Sequence, residues 1–464
     1  MPGGARVNPH VGRSLEGRIL RWCLARLRVR GCALGASAAF VVGGLLYSFG
    51  WAPIFQHESH WLTPGDLWIT FNVAGQAVHG HISSVYTLHT FLIGRYWLVT
   101  AFPTFPGILV ALAPVAAVTS VMHLTQDTPP FVNPFNHPQA WLVLWPFALL
   151  LATIPIFACD SLAERLGVRP GRRVLLALAE AIVLWQVVVF NGHPEDAVAV
   201  GILLYATLLA VDSRWNGVGW ALGVALSFQP LVILAFPVLF GLAGIRKWRG
   251  LAARTAIVPV AVVIAPLITN FSATFDALVK QPGYPLANFT TPWTSLAPRL
   301  HIVGVYVVAA GPVRLVGILL SCAVGWRARA WRDQPNRLLW AIALALALRC
   351  FTESVMAPYY LWPALAVAIL ASAPSPLWSF TLTFAAATFV TVSSQWDLAW
   401  LTWWLINILG LTAVLMLAFP IRPVGLPARD DQRVAQRPRP TSSAASGSGR
   451  NPRRGGQKRS KKRR

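Results

Sequence analysis

A chain of 464 residues that is 55% hydrophobic and only 12% charged, with a mean hydropathy of +0.56, is not an ordinary soluble domain, which would carry about twice that charged fraction. The net charge of +23 invites a nucleic-acid reading, but residues 1–30 hold seven Arg against one Glu, and residues 420–464 hold fourteen Lys or Arg against two Asp. The two ends thus supply +18 of it and read as cytoplasmic flanks close to anionic lipid head groups, with no nucleic-acid partner expected.

The apolar runs are continuous rather than alternating, which favours helices over a β-barrel. The five cysteines, at 23, 32, 159, 322 and 350, form no CxxC pair, which argues against a disulfide framework and a thiolate metal site. The expected organisation is a basic cytoplasmic N-terminus (1–32), a transmembrane domain (33–420) and a basic, disordered cytoplasmic tail (421–464).

In chain order, an Arg-rich start feeds a first span at 33–52, read as a retained signal anchor. An outer loop follows over 53–102. Apolar segments come at 105–122, 140–160, 174–191 and 196–211, then 217–244 and 252–270. A second large outer loop, 272–302, precedes 303–325, 338–356, 359–373, 377–394 and 398–419, for about eleven to thirteen crossings in a multi-pass protein of the cell membrane. Arginine clusters at 165–173, 246–254 and 327–337 mark inner turns. The stretch 217–244 has both ends inside, so it reads as two half-helices broken at Gln229-Pro230 near the outer surface. Side parity then requires one further passage before residue 161: either 84–102 crosses, or 105–122 re-enters.

Five groups of residues could carry chemistry. Asp66 opens an amphipathic run in the first outer loop. It fits a capping box with Thr63 and Pro64, and equally a general base that burial beside apolar side chains would adapt to work near neutrality. His193, Glu195 and Asp196 share a tight turn, where both acids suit the N-terminus of the following helix. Gln229 sits at the helix break. Arg349 and Glu353 stand four apart on one helical face and can pair within the membrane, with Tyr359 and Tyr360 at its outer end. In loop 272–302, Lys280 and Arg299 are the scarce outward cations able to meet a phosphate. No ligand spacing points to a metal, no cofactor is expected, and the absence of any Gly-rich nucleotide loop leaves a donor dissolved in the bilayer.

The order of these pieces resembles the GT-C superfamily of integral-membrane glycosyltransferases, most closely glycosyltransferase family 87, which uses polyprenyl-phosphate mannose, and its actinobacterial relatives. The matching pieces are Asp66 with Gly80 and Tyr86, Thr104-Phe105-Pro106-Gly107, Gly192-His193-Pro194-Glu195-Asp196, Gly223 to Pro230, and Glu353 with Pro358-Tyr359-Tyr360. They run in order over about residues 30–420. Two departures stand out: Gln229 occupies a pre-proline position often held by Lys, and 87–102 reads as an insert. The resemblance implies an inverting transferase at the outer face, with Asp66 as base, moving a sugar, expected to be mannose, from a polyprenyl-phosphate donor to a lipid or glycan acceptor. It places His193, Glu195, Asp196, Gln229, Lys280, Arg349, Glu353, Tyr359 and Tyr360 as donor or substrate contacts. Two other classes compete: a lipid-linked sugar transporter or flippase, and a non-catalytic membrane scaffold.

Overall fold

The computed structural model describes residues 30–51, 62–87, 89–93, 96–100, 105–124, 138–285, 288–302 and 305–421. Residues 1–29 of the basic N-terminus, 422–464 of the tail, and Thr104 lie outside the described residues. Helix α1 (Gly31–Leu46) ends in a π-turn (Tyr47–Trp51), and α2 (Gly65–Val78) is the amphipathic helix of the first loop. A hairpin follows, β1 (His89–Ile93) with β2 (Tyr96–Thr100), and then α3 (Gly107–Val121). Next come α4 (Trp141–Leu151), α5 (Ile154–Arg165), α6 (Pro170–Trp185) with a π-turn at Gln186–Phe190, α7 (Pro194–Val211) and α8 (Trp215–Phe228). A 3-10 turn (Pro230–Ala235) leads into α9 (Phe236–Ala243), α10 (Ile245–Thr269) and α11 (Phe271–Lys280). The last part holds β3 (Phe289–Thr290), β4 (Arg299–Ile302), β5 (Val305–Val308), α12 (Val313–Ala328) and α13 (Pro335–Thr352). It continues with β6 (Val355–Met356), a 3-10 turn (Pro358–Leu361), α14 (Trp362–Ser372), α15 (Leu377–Ser393) and α16 (Trp400–Ala418).

Among the described residues, six helices are long and apolar enough to cross a membrane, within Gly31–Gly50, Trp141–Arg165, Pro170–Phe190, Pro194–Val211, Ile245–Thr269 and Trp400–Ala418. Four shorter apolar helices stand beside them: Gly107–Val121, Pro230–Ala243, Pro358–Ser372 and Leu377–Ser393. The chain is a helical, polytopic membrane protein. Its centre is α14, buried along its whole length between α13, α15, α16 and α6. The far edges of α1, α10, α12 and α16 keep large apolar side chains exposed, as a lipid-facing rim requires. At one end, Arg173 (2.7 Å) and Arg30 (2.8 Å) both hold the buried Asp160, clipping the starts of α1 and α6 to α5.

Of the two ways to balance the sides, the described residues do not form a helix over 84–102: His89–Ile93 and Tyr96–Thr100 pair as antiparallel strands. The apolar segment at 140–160 lies in the candidate span Trp141–Arg165, within which α4 gives way to α5 at Ala152-Thr153, with Pro155 in the first turn of α5, where a missing N–H costs nothing. The break at Gln229-Pro230 is present, with α8 stopping at Phe228 and a 3-10 turn starting on Pro230.

Loop 272–302 is more ordered than its polarity implies. Phe271, Phe275 and Val279 recur every fourth residue, and they form the exposed apolar face of α11. Beyond α11 the loop is fastened to the end of α13. Strand β3 pairs antiparallel with β6, Trp293 Nε1 donates to the Phe351 carbonyl at 2.7 Å, and Thr291 Oγ1 donates to the Glu353 carbonyl at 2.8 Å.

Candidate functional site

The position of Asp66 follows from how α2 is anchored. The sequence allows a capping box, but the helix begins at Gly65 with Pro64 in the cap position and no side-chain cap hydrogen bond. The Thr63 hydroxyl is buried without a partner. Asp66 is therefore free to reach outward. The opposite face of α2 is locked by aromatic packing: Trp68 lies 6.2 Å from Trp141, which stacks on Trp145 at 5.0 Å. Both indoles of that stack donate to the π-turn end of α1, Trp141 to Ser48 Oγ (3.0 Å) and Trp145 to the Gly44 carbonyl (3.1 Å).

His193 comes to Asp66 from the end of α6. The π-turn at Gln186–Phe190 is closed by Asn191, whose amide donates to the Gln186 carbonyl at 2.7 Å. Gly192 then takes φ +72, a left-handed conformation costly for other residues. A Cβ on Gly192 would lie 2.5 Å from Pro64 Cβ and 3.1 Å from Leu67 Cβ, so only a bare backbone lets this turn press against α2. The result is a three-member chain. His193 Nε2 lies 2.9 Å from Asp66 Oδ2, and Nδ1 lies 2.6 Å from Glu195 Oε1.

Carboxylate oxygens accept and do not donate, so both ring nitrogens carry hydrogen and the ring is an imidazolium. Burial alone would push the His193 ring toward neutrality. The Glu195 carboxylate and the hydrogen bond to Asp66 outweigh it and hold the pKa well above the ordinary 6.5. The sequence reading expected Asp66 to be buried beside apolar side chains, but its side chain is 56% exposed, while those of His193 and Glu195 are 9% and 5% exposed. Oδ2 is held by His193, and no partner for Oδ1 occurs among the described residues.

From His193 a continuous series of contacts leads away from Asp66. The imidazolium stacks on Tyr359 (centroids 3.9 Å apart), Tyr359 meets Tyr360 edge-on (4.9 Å), and the Arg349 guanidinium lies 3.5 Å over the Tyr360 ring. These side chains border a cavity of about 370 Å³ whose walls also include Gln229, Gln281, Arg314 and Glu353. Behind it, Gln229 Nε2 donates to Asp196 Oδ1 at 2.5 Å, which explains what a neutral amide does at the helix break. Buried atoms without a partner collect here: Arg349 Nη1, Glu195 Oε2 and Asp196 Oδ2.

The sequence-level candidates are thus sorted. His193, Gln229, Arg349, Glu353, Tyr359 and Tyr360 share the cavity, Glu195 and Asp196 stand behind it, and Asp66 meets it through His193. Lys280 does not join them. It pairs with Asp276 one helical turn back on α11, and both side chains are about half exposed. Arg299 lies over Tyr306 instead. The expected Arg349–Glu353 pair exists only at 3.9 Å; the closer partner of Glu353 is Arg314, which also donates to Gln281 Oε1. Arg314 went unmarked in the sequence although it is the single charged residue in the apolar segment 303–325, and that isolation was the available signal. Tyr86, which the resemblance picked out, is buried in the core, where burial pushes its phenol up.

An apolar groove of about 500 Å³ between α9 and α12 shares Ile233, Leu234 and Ile318 with the cavity. Among the described residues, no group of three or more His, Cys, Asp or Glu converges in a way that would hold a metal ion. No protein-family model matches the sequence, and no curated protein is similar to it. The arrangement can take a proton at an exposed carboxylate, offset negative charge with two guanidiniums, and accommodate an apolar chain beside them.

Proposed function

We propose that the protein is an inverting glycosyltransferase of the GT-C type. It moves a sugar, with mannose as the expected one, from a polyprenyl-phosphate donor to a lipid or glycan acceptor at the outer face of the cell membrane. The observation that carries this reading is an exposed carboxylate, oriented by His193, beside a cavity with two arginines that continues into an apolar groove.

In this reading the acceptor hydroxyl attacks the anomeric carbon while Asp66 Oδ1 takes its proton. The bond from the anomeric carbon to the phosphate oxygen breaks, and its electron pair stays on the leaving lipid phosphate. Arg349 and Arg314 offset that charge as it develops. The buried, unpartnered Arg349 Nη1 is the donor available for it, whereas Arg314 is steered by Glu353 and Gln281. His193, backed by Glu195, holds Asp66 in one orientation. The groove between α9 and α12 takes the first isoprene units.

The test is transfer of radiolabelled mannose from polyprenyl-phosphate mannose to membrane lipid by the purified protein, wild type beside Asp66→Asn. Asparagine keeps the shape and cannot take the proton, so label should move only with the wild type. Retained transfer by Asp66→Asn would remove Asp66 from the role. A wild type inactive with every polyprenyl-phosphate sugar would remove the enzyme reading.

A second reading has its own support. The ion pair Arg314–Glu353 and the broken helix at Gln229-Pro230 are features of transporter sites. Flux of lipid-linked sugar across proteoliposomes without a covalent product would favour it.

A further inference from the structure

A second cavity lies at the other end of α8. Helix α8 carries Gln229 at the candidate site on its C-terminal end and, about 20 Å away, begins at Trp215. There the starts of α8 and α10 border a cavity of about 580 Å³ lined by Ser213, Arg214, Trp215, Arg246, Lys247 and Arg254 among others. The two helices touch closely just beyond it. A Cβ on Gly219 would lie 2.8 Å from Arg254 Cβ, and one on Gly223 would lie 2.8 Å from the Thr255 carbonyl oxygen. The cavity is therefore a built opening between tightly packed helices.

Four of the named lining residues are cations, and among the described residues none has a carboxylate partner. The nearby acid, Asp212, is taken by Arg165 at 3.1 Å. Lys247 Nζ instead sits 5.3 Å over the Trp215 ring, and Arg254 Nη1 donates to the Gly250 carbonyl. The Trp215 indole N–H is buried and has no partner.

Both helices start without a side-chain cap and without an acid in the first turn. Helix α10 places Arg246 and Lys247 there, against the positive end of its own dipole. An anion in the cavity offsets the clustered charge and the helix starts together. Basic flanks at a membrane surface account for cations in general, but not for four of them walling one cavity between two closely packed helices.

We propose that this cavity is a binding site for a phosphate-bearing anion, on the membrane face opposite the candidate active site. The head group of an anionic glycerophospholipid fits it, because exposed Ile257, Val260 and Ile264 continue along α10 from the cavity and offer a bed for an acyl chain. A soluble phosphate is the other source of the same chemistry. The site is separate from the basic termini and does not depend on the transferase reading.

The test is native mass spectrometry of the full-length protein in detergent, titrated with phosphatidylglycerol and with phosphatidylcholine of the same chains. Glycerol 3-phosphate and inorganic phosphate are added as competitors. The wild type should retain one phosphatidylglycerol selectively. The triple variant Arg246→Gln/Lys247→Gln/Arg254→Gln should weaken that binding at least about tenfold. A control triple at another basic turn, Arg327→Gln/Arg332→Gln/Arg337→Gln, should leave it unchanged. Displacement by the soluble phosphates supports the site with a soluble ligand. Equal retention of both lipids, or equal loss in the two triple variants, overturns it. Should the first triple fail to fold, the single variants Arg246→Gln and Lys247→Gln, both at exposed positions, replace it, and unaltered selectivity and affinity in both would count against the site.

Discussion

With Asp66 at 2.9 Å on Nε2 and Glu195 at 2.6 Å on Nδ1, His193 bridges two acids only while both ring nitrogens stay protonated. Its folded-state pKa lies above 6.5, so the stabilisation is fully present below about pH 6.5 and is lost as the pH rises through the raised value. The melting temperature of the wild type should therefore fall on the alkaline side of neutrality. His193→Gln should show no such fall, and melting curves taken from about pH 6 to about pH 10 compare them. The same substitution leaves Glu195 buried without a counter-charge, which costs about 3–5 kcal/mol for such a pair. A His193→Gln protein as stable as wild type at pH 6 would mean the bridge is idle. Arg349→Lys keeps the charge but gives up the planar stack on Tyr360. It should lower kcat and kcat/KM for polyprenyl-phosphate mannose at least about tenfold with a smaller change in KM, since the group acts on charge that develops on the leaving phosphate. An unchanged kcat/KM would detach Arg349 from the reacting phosphate.

At the scale of elements, the site depends on how α2 sits against the turn after α6. Gly192→Ala forces a Cβ into Pro64 at 2.5 Å, which α2 can relieve only by moving off. The expected outcome is faster protease cleavage within α2 and at least a tenfold loss of transfer, with the spanning helices intact. Unchanged cleavage together with unchanged transfer would contradict that dependence. Most elements here were legible in advance. Continuous apolar runs marked the spanning helices, Pro230 marked the break, and Phe271, Phe275 and Val279 carried the signal of α11 within a segment read as a loop. The hairpin at 89–100 was missed because its apolar and aromatic residues suit a helix as well as a pair of strands. Asp66 and His193 were each singled out, but not their contact. It depends on a π-turn and a left-handed glycine that leave no periodic trace across 127 residues. Arg314 was hidden for another reason: its partner Glu353 already had a cation at helical spacing in Arg349.

For the whole molecule, α10 separates two faces of different character. Its start borders the basic cavity, and its end runs through Asn270 into α11 beside the candidate site. Single cysteines at Arg249→Cys and Ser272→Cys, in a background without native cysteines, should react with an impermeant maleimide from opposite sides of the membrane. Labelling from one side would mean α10 does not cross. The spread of the site along the chain also sets an order of events during synthesis. Glu195 and Asp196 leave the ribosome roughly 150 residues before Arg349. At about 5–20 residues per second, that is an interval of roughly 8–30 s. Over about the first 120 of those residues neither guanidinium of the finished cavity is available to those two acids. Asp66 has already emerged by then, and His193 emerges beside them. Of the basic groups gathered at the finished site, the His193 ring is thus the first to be made, ahead of both arginines.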